Sequence, residues 1–188
     1  CQHGERRVSR VEHDGSVTVL ADSFGGRRLN SPNDVVVKSD GTIWFTDPSY
    51  GIDGHYEGDE APQEQDGRYV FRTTADGTLA IACDSLEQPN GLAFSPQEDS
   101  IYIVDSGRAR NLWRFPVLGD RLGQGEVFAV CPTGIFDGLR VDRLGNIWIS
   151  AGDGVYCYAS DRRLLGRIAM PEVISNLCFG GSKRNRLF

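Results

Sequence analysis

Four oxygen-bearing side chains recur at matched places in the chain, and they are residue types that bind a hard cation. Each stands eleven or twelve residues before an apolar or aromatic pair, and they are Asn33, Asn90, Asp137 and Asn176. Amide and carboxylate oxygens are ligands that Ca²⁺ and similar divalent ions prefer. The pattern predicts a divalent-cation site if the fold brings these positions together. The competing interpretation is that Asn and Asp before Gly simply form turns.

A second set of polar residues follows the predicted hairpins and has the chemistry of proton transfer. Asp47 and Asp105 end the second strands of the first two repeats, and in the third repeat Ala151 takes this place with Asp153 nearby. His3 is predicted to take about the same place in the truncated repeat at the start of the chain. A carboxylate or imidazole there could exchange protons with a substrate. Capping of a strand end is the alternative, and it is favoured for Asp105.

Internal repeats organise the chain and would position both sets. The repeats begin at residues 33, 90, 137 and 176, which are 57, 47 and 39 residues apart. Strand pairs are predicted after the first three opening hairpins, at 68–71 with 79–82, 112–115 with 127–130, and 154–158 with 164–168. Four short strands per repeat of this length are typical of a β-propeller blade, whose first strand lines the central channel. The sequence therefore predicts an all-β propeller.

The repeat count predicts about three whole blades and two half blades. Residues 8–21 match the last two strands of an earlier blade, and residues 176–188 match the first two strands of a later one. We expect a single propeller domain over residues 1–188, truncated at both ends, with a Gly-, Asp- and Glu-rich loop at 51–66. The alternative is that the two half blades complete each other in a four-bladed ring.

Composition favours strands and excludes several classes of function. The chain has 23 Gly and 8 Pro, and Asp-Gly or Gly-Asn pairs at 14–15, 40–41, 76–77 and 145–146 favour tight antiparallel turns.

A net charge of −6 argues against nucleic-acid binding, so the tract Arg6-Arg7 is predicted to be solvated. No apolar run reaches the length of a membrane span. Motifs of serine hydrolases, zinc proteases, P-loops and Rossmann folds are missing from the sequence.

Five stretches match a known family in order along nearly the whole chain. They are 1–8 (CQHGERRV), 28–35 (RLNSPNDV), 44–51 (WFTDPSYG), 88–95 (QPNGLAFS) and 175–181 (SNLCFGG). These stretches resemble the gluconolactonase/regucalcin (senescence marker protein) family of six-bladed propeller hydrolases, and most closely its bacterial gluconolactonase-like branch.

The resemblance implies one divalent cation at the mouth of the channel, with Ca²⁺ favoured over Zn²⁺ or Mg²⁺. Asn90 and Asp137 match its direct ligands, and Asn33 matches an Asn that binds the ion in some members and faces substrate in others. Phe136 departs from the family's usual Pro before the Asp ligand. The family's Glu ligand would lie before residue 1, because no Glu in residues 1–32 has its context.

The reaction that the resemblance implies is hydrolysis of a sugar or aliphatic lactone. The ion would polarise the lactone carbonyl while water attacks. Asp137 is the expected catalytic carboxylate, and Asp47 and His3 are weaker candidates for proton transfer. The residues expected to bind substrate are Asn33, Arg28, Tyr50, His3 and Asn176.

Three alternatives stay open at this point. Related propellers hydrolyse phosphotriesters or fluorophosphates with the same set of cation ligands. A non-catalytic propeller would instead bind a ligand or a protein at its mouth. An incomplete fragment would be inactive. The expected partner is a small lactone, with no nucleic acid and no membrane. We expect a cytoplasmic monomer or weak dimer; a periplasmic or secreted location stays open if a segment precedes residue 1.

Overall fold

A computed structural model describes residues 1–74 and 76–188, and within them the regular elements are all β-strands. The all-β prediction is therefore confirmed. The predicted turns show why strands form: Gly15, Gly41, Gly77 and Gly145 have φ between +81° and +86°, a region that glycine enters without steric cost. In the turn at 40–42, Thr42 N donates to Asp40 Oδ1 at 3.0 Å. The described residues contain no helix able to cross a bilayer.

The first of two compact units, Cys1–Pro89, contains three antiparallel sheets. Its strands are β1 (Val8–Val11), β2 (Val17–Ala21), β3 (Ser23–Phe24), β4 (Arg27–Arg28), β5 (Val35–Val37), β6 (Ile43–Asp47), β7 (Tyr69–Thr73) and β8 (Leu79–Cys83). β1 pairs with β2, β3 pairs with β4, and β5 to β8 form a four-stranded meander. Leu29, Phe45 and Phe71 lie at the centre of its core.

The second unit, Asn90–Phe188, contains two large sheets and a short hairpin. Its first strand is β9 (Pro89–Phe94), which begins on the last residue of the first unit. The strands that follow are β10 (Ser100–Asp105), β11 (Asn111–Leu118), β12 (Arg121–Leu122), β13 (Glu126–Val130), β14 (Leu139–Val141), β15 (Ile147–Ala151), β16 (Gly154–Tyr158), β17 (Leu164–Ala169), β18 (Phe179–Gly180) and β19 (Arg186–Leu187). β9, β10, β11 and β13 form one meander, with β12 paired to the end of β11, and β14 to β17 form the other. The core of this unit includes Leu112, Phe136 and Leu139, all fully buried.

The three predicted repeats are confirmed as antiparallel sheets, two with four strands and the middle one with a fifth, β12, and the predicted terminal hairpins are present. The last hairpin is shorter than expected, since β18 and β19 have two residues each. The short strands β3, β4 and β12 were not predicted. No strand falls in the insertion 51–66, as expected for a loop.

The hairpins β5–β6 and β14–β15 open the sheets of the first and third repeats, called here the first and third sheets. These two hairpins share one backbone pattern. Asn33 N donates to Thr46 O at 2.9 Å, and Asp137 N donates to Ser150 O at 3.3 Å. In both sheets the N–H of the next residue donates to the hydroxyl of that same Thr or Ser, at 3.1 Å and 2.9 Å. Asn33 and Asp137 therefore occupy equivalent positions in their own sheets, as the repeat predicts.

Candidate functional site

Three successive repeat openings of the second unit pack directly against one another. Gly91 N donates to Asp137 O at 3.1 Å, and Gly138 N donates to Ser175 O at 2.7 Å. A Cβ atom on Gly91 would lie 2.3 Å from Asp137 O, and one on Gly138 would lie 2.4 Å from the carboxamide of Asn176. The backbones approach too closely for a side chain, which explains why glycine follows the polar residue in both repeats.

Asn90 presents a buried amide oxygen that has no partner in residues 1–74 and 76–188. The residue is 4% exposed. Its Nδ2 donates to Ser106 Oγ at 3.0 Å, and that hydroxyl donates to Phe136 O at 2.8 Å. Oδ1 receives no hydrogen bond from the described residues. A buried polar atom left unpaired costs about 1–3 kcal/mol, so this oxygen is suited to bind a group that the polypeptide does not provide.

Asp137 lies beside Asn90 on a backbone that is held from both sides. Its N–H donates to Ser150 O, and its carbonyl accepts from Gly91 N. The residue is half-buried. Because both of its peptide groups are bonded, the carboxylate extends from a fixed position, as a ligand or a catalytic group requires.

Asn176 is brought to the same place but uses its side chain locally. Its carboxamide lies against Gly138, and its Oδ1 accepts from Leu177 N at 2.8 Å. The residue is exposed. In the first unit, Asn33 is half-buried at the position equivalent to Asp137. The roles predicted for Asn176 and Asn33 stay predictions.

Asp47 is fully buried under the turn that precedes β5. Its Oδ2 accepts from Asn30 N at 2.8 Å, and Asn30 Nδ2 donates to its carbonyl oxygen at 3.2 Å. Burial raises the pKa of Asp47 to about 7, although the N–H groups of Asn30 and Ser31 and the charge of Arg6 oppose the shift. The proton-transfer role predicted for Asp47 stays a prediction, and the hydrogen bonds show that its carboxyl also holds the chain at Asn30.

The raised pKa of Asp47 predicts a pH-dependent contribution to stability. The folded state binds the proton more tightly than the unfolded state, so this contribution is complete below about pH 4 and is lost as pH rises towards 7. The slope approaches about 1.4 kcal/mol per pH unit. Asp47→Asn keeps an oxygen acceptor for Asn30 N and removes the titration. Urea unfolding at pH 5 to 8 is expected to show a steeper loss for the wild type, and parallel curves would contradict the assignment.

His3, Tyr50 and Arg28 lie on loops and a short strand of the first unit. His3 Nδ1 is 3.2 Å from Glu57 Oε2. Burial lowers the pKa of His3 and outweighs the opposing effect of Glu57, which favours a neutral imidazole near pH 7. The ring packs against Gly51, the neighbour of the half-buried Tyr50. Arg28 is exposed and reaches Glu5 O at 3.3 Å. None of these contacts tests the predicted substrate roles.

Arg6 corrects the prediction that its tract is solvated, because this residue is only 4% exposed. Its Nε donates to Leu29 O at 2.7 Å and to Asn30 O at 3.1 Å, and its Nη1 is 3.3 Å from Glu64 Oε1. The guanidinium therefore fixes the turn that Asp47 also holds. The partners are more than twenty residues away in sequence, so no local pattern indicates this burial.

The predicted cation ligands contain amides and a single carboxylate. Within residues 1–74 and 76–188, no group of three or more His, Cys, Asp or Glu side chains is placed to hold a metal ion. The donor set that the structure does offer in the second unit is the unpartnered Asn90 Oδ1 next to Asp137. Oxygen-only donors suit Ca²⁺ better than Zn²⁺, which prefers nitrogen and sulfur ligands.

Comparison with known proteins identifies the family of this chain. A family model for the SMP-30/Gluconolactonase/LRE-like region matches residues 2–188. The chain belongs to this family. A similar member is the gluconolactonase of Zymomonas mobilis, which is 36% identical over 190 residues that cover 94% of this chain and 53% of that enzyme.

Solved structures of SMP-30/gluconolactonase relatives show the same fold. A gluconolactonase from Xanthomonas campestris is 40% identical with a TM-score of 0.95, and the match covers 100% of this chain and 63% of that one. A regucalcin from Agrobacterium tumefaciens, described as a calcium-binding protein, is 24% identical with a TM-score of 0.72 over 92% of this chain and 57% of that one. The chain thus spans between about half and two thirds of the length of these relatives.

Proposed function

We propose that this chain carries part of the active site of a metal-dependent hydrolase that opens a sugar or aliphatic lactone. The observation that carries the proposal is the buried, unpartnered Oδ1 of Asn90 beside the fixed Asp137. The substrate class is supported by the relatives named gluconolactonase in Zymomonas and Xanthomonas. Turnover of a phosphotriester or fluorophosphate by the same residues is a second substrate class to test.

The residues present fit a divalent cation, and Ca²⁺ is the ion we propose. Asn90 Oδ1 has lone pairs that can bind a cation, and the carboxylate of Asp137 would bind the same ion. Asn33 is proposed as a further ligand or substrate contact from its equivalent position in the first repeat.

The proposed mechanism assigns separate tasks to the side chains. When bound, a divalent cation supplies Lewis-acid polarisation of the lactone carbonyl. Asp137 orients the attacking water and accepts a proton from it as the new C–O bond forms at the carbonyl carbon. The ring C–O bond then breaks, Asp137 returns its proton to the ring oxygen, and the product is a hydroxy acid whose carboxyl group is ionised near pH 7. Asn90 keeps its amide oxygen fixed throughout.

Removal of the cation is expected to abolish turnover. Acid release from δ-gluconolactone by this chain should exceed the uncatalysed rate, fall to that rate in chelator, and return when Ca²⁺ exceeds the chelator. The control is chelator already saturated with Ca²⁺. Chelator-insensitive hydrolysis would contradict the mechanism. Tight Ca²⁺ binding without lactone or phosphotriester turnover would favour a binding module, and a chain with neither property would be an inactive fragment.

We also propose that the four-stranded sheets are blades of a six-bladed propeller and that residues 1–188 belong to a single propeller domain. Each sheet is an antiparallel meander of the size and strand order of a blade. The first and third sheets repeat one pattern of hydrogen bonds at their openings. These features support the proposal.

A further inference from the structure

The hydroxyl of Ser106 sets which end of the Asn90 amide faces the candidate cation site. A serine hydroxyl has one proton to donate and can accept through its lone pairs. Ser106 donates that proton to Phe136 O at 2.8 Å, because a carbonyl oxygen can only accept. The hydroxyl must therefore accept from Asn90, and only the NH₂ end of the amide can donate to it. Oδ1 is thereby turned away from Ser106, in agreement with its lack of a partner.

The same hydroxyl links the two candidate ligands. Phe136, whose carbonyl receives the hydroxyl proton, directly precedes Asp137. Phe136 is itself fully buried in the core of the second unit, so its carbonyl is a rigid anchor. One side chain thus orients the amide of Asn90 against the segment before β14 that carries Asp137.

Comparison of the three opening hairpins shows which hydrogen bond of Ser106 is particular to its repeat. In the first and third sheets the next-to-last residue of the second strand, Thr46 or Ser150, bonds a backbone N–H through its hydroxyl. In the second sheet the next-to-last residue is Val104, which has no hydroxyl. Ser106 stands two residues later, and its hydroxyl accepts from the Asn90 side chain and donates to the Phe136 carbonyl. Ser150 Oγ likewise donates to the carbonyl that precedes the next repeat's opening residue, Ser175 O at 3.1 Å. The bond that distinguishes Ser106 is therefore the one it accepts from the Asn90 side chain.

We propose that Ser106 is a positioning residue that holds the Asn90 amide oxygen towards the cation and couples it to the Asp137 segment. The inference rests on the proposed function, because it assumes that Asn90 binds the ion. Groups that orient metal ligands in this way typically contribute about 10- to 100-fold to metal affinity.

The test is Ca²⁺ affinity, measured by calorimetry on the full chain without substrate. Ser106→Ala is expected to weaken binding by about 10- to 100-fold. Ser106→Thr, which keeps the hydroxyl, should stay close to the wild type. Ser106→Cys keeps the shape of the side chain but offers only a weak donor and acceptor, so it should also lose Ca²⁺ affinity. This variant tests the inference if the alanine variant folds poorly. NMR signals of the Asn90 side-chain NH₂ should move in Ser106→Ala without any ion present.

Ser95→Ala is the matched control, because Ser95 makes the same number of hydrogen bonds at the opposite end of the β9–β10 hairpin. Its Oγ donates to Asp99 Oδ1 at 2.8 Å and accepts from Ser100 N at 3.1 Å. This variant should lose a similar amount of stability and keep the Ca²⁺ affinity of the wild type. Wild-type affinity in both folded Ser106→Ala and Ser106→Cys would overturn the inference alone. Failure of the wild type to bind Ca²⁺ would overturn the proposed function and this inference together.

Discussion

Replacing Gly91 with alanine is expected to destabilise the chain by about 3 kcal/mol, at the upper end of the range for overpacked sites. The new Cβ would lie 2.3 Å from Asp137 O and 3.0 Å from the Cα of Gly138. Both neighbours are backbone atoms, so no side-chain rotation relieves the clash. Gly91 does not have a positive φ, and close packing is therefore the reason for glycine here. Urea unfolding gives the free energy, and Ca²⁺ affinity should fall as Asn90 shifts.

Gly166→Ala is the matched control for this substitution. Gly166 lies in the exposed strand β17, where a new Cβ atom would have no neighbouring atom within 4 Å, and its φ is not positive. Alanine there should be neutral or should stabilise the chain by about 0.5 kcal/mol, because glycine is unfavourable inside a strand. Equal stability of the Gly91 and Gly166 variants would show that the repeat openings are not as closely packed as described.

Replacing Asp137 with alanine is expected to lower lactone hydrolysis by about 100- to 1000-fold, the range seen when one electrostatic contact to the transition state is removed. Among the four residues that open the repeats, Asp137 alone carries a negative charge. Its loss removes both a proposed cation ligand and the group that orients water. Acid release at saturating Ca²⁺ measures the effect on turnover, and calorimetry measures the effect on binding.

Two variants separate the charge of Asp137 from general effects. Asp161→Ala changes the net charge equally at an exposed turn and should leave hydrolysis and Ca²⁺ binding unchanged. Asp137→Asn keeps an oxygen ligand without the charge, so it should bind Ca²⁺ more weakly than the wild type and lose most turnover. Full activity in Asp137→Ala would exclude it as the catalytic carboxylate.

Local chemistry explains why most of the fold could be predicted. The Asp-Gly pairs predict turns, because glycine accepts a positive φ and the Asp side chain accepts a hydrogen bond within the same three residues. The alternation of apolar residues predicts the strands on either side. The equivalence of Asn33 and Asp137 also follows from spacing alone, and the matching bonds to Thr46 and Ser150 agree with it. The two-residue strands at the end of the chain carried too few residues for a pattern to show their length.

Long-range polar contacts explain what could not be predicted. Arg6 is buried because carbonyl oxygens of Leu29 and Asn30 receive its guanidinium, and sequence adjacency to Arg7 indicates the opposite. The orientation of Asn90 depends on Ser106, sixteen residues away, which in turn depends on the Phe136 carbonyl thirty residues further on. Such bonds exist only after the sheets have formed, so residue types and spacing carry no trace of them.

The most direct measurement of the central claim is a crystal structure of the chain soaked with Tb³⁺ as an anomalous substitute for Ca²⁺. The account predicts a peak at bonding distance, about 2.3–2.6 Å for an oxygen-coordinated ion of this kind, from both Asn90 Oδ1 and the carboxylate of Asp137. A peak elsewhere, or a structure in which a protein donor bonds Asn90 Oδ1 and no ion binds beside it, would contradict the account.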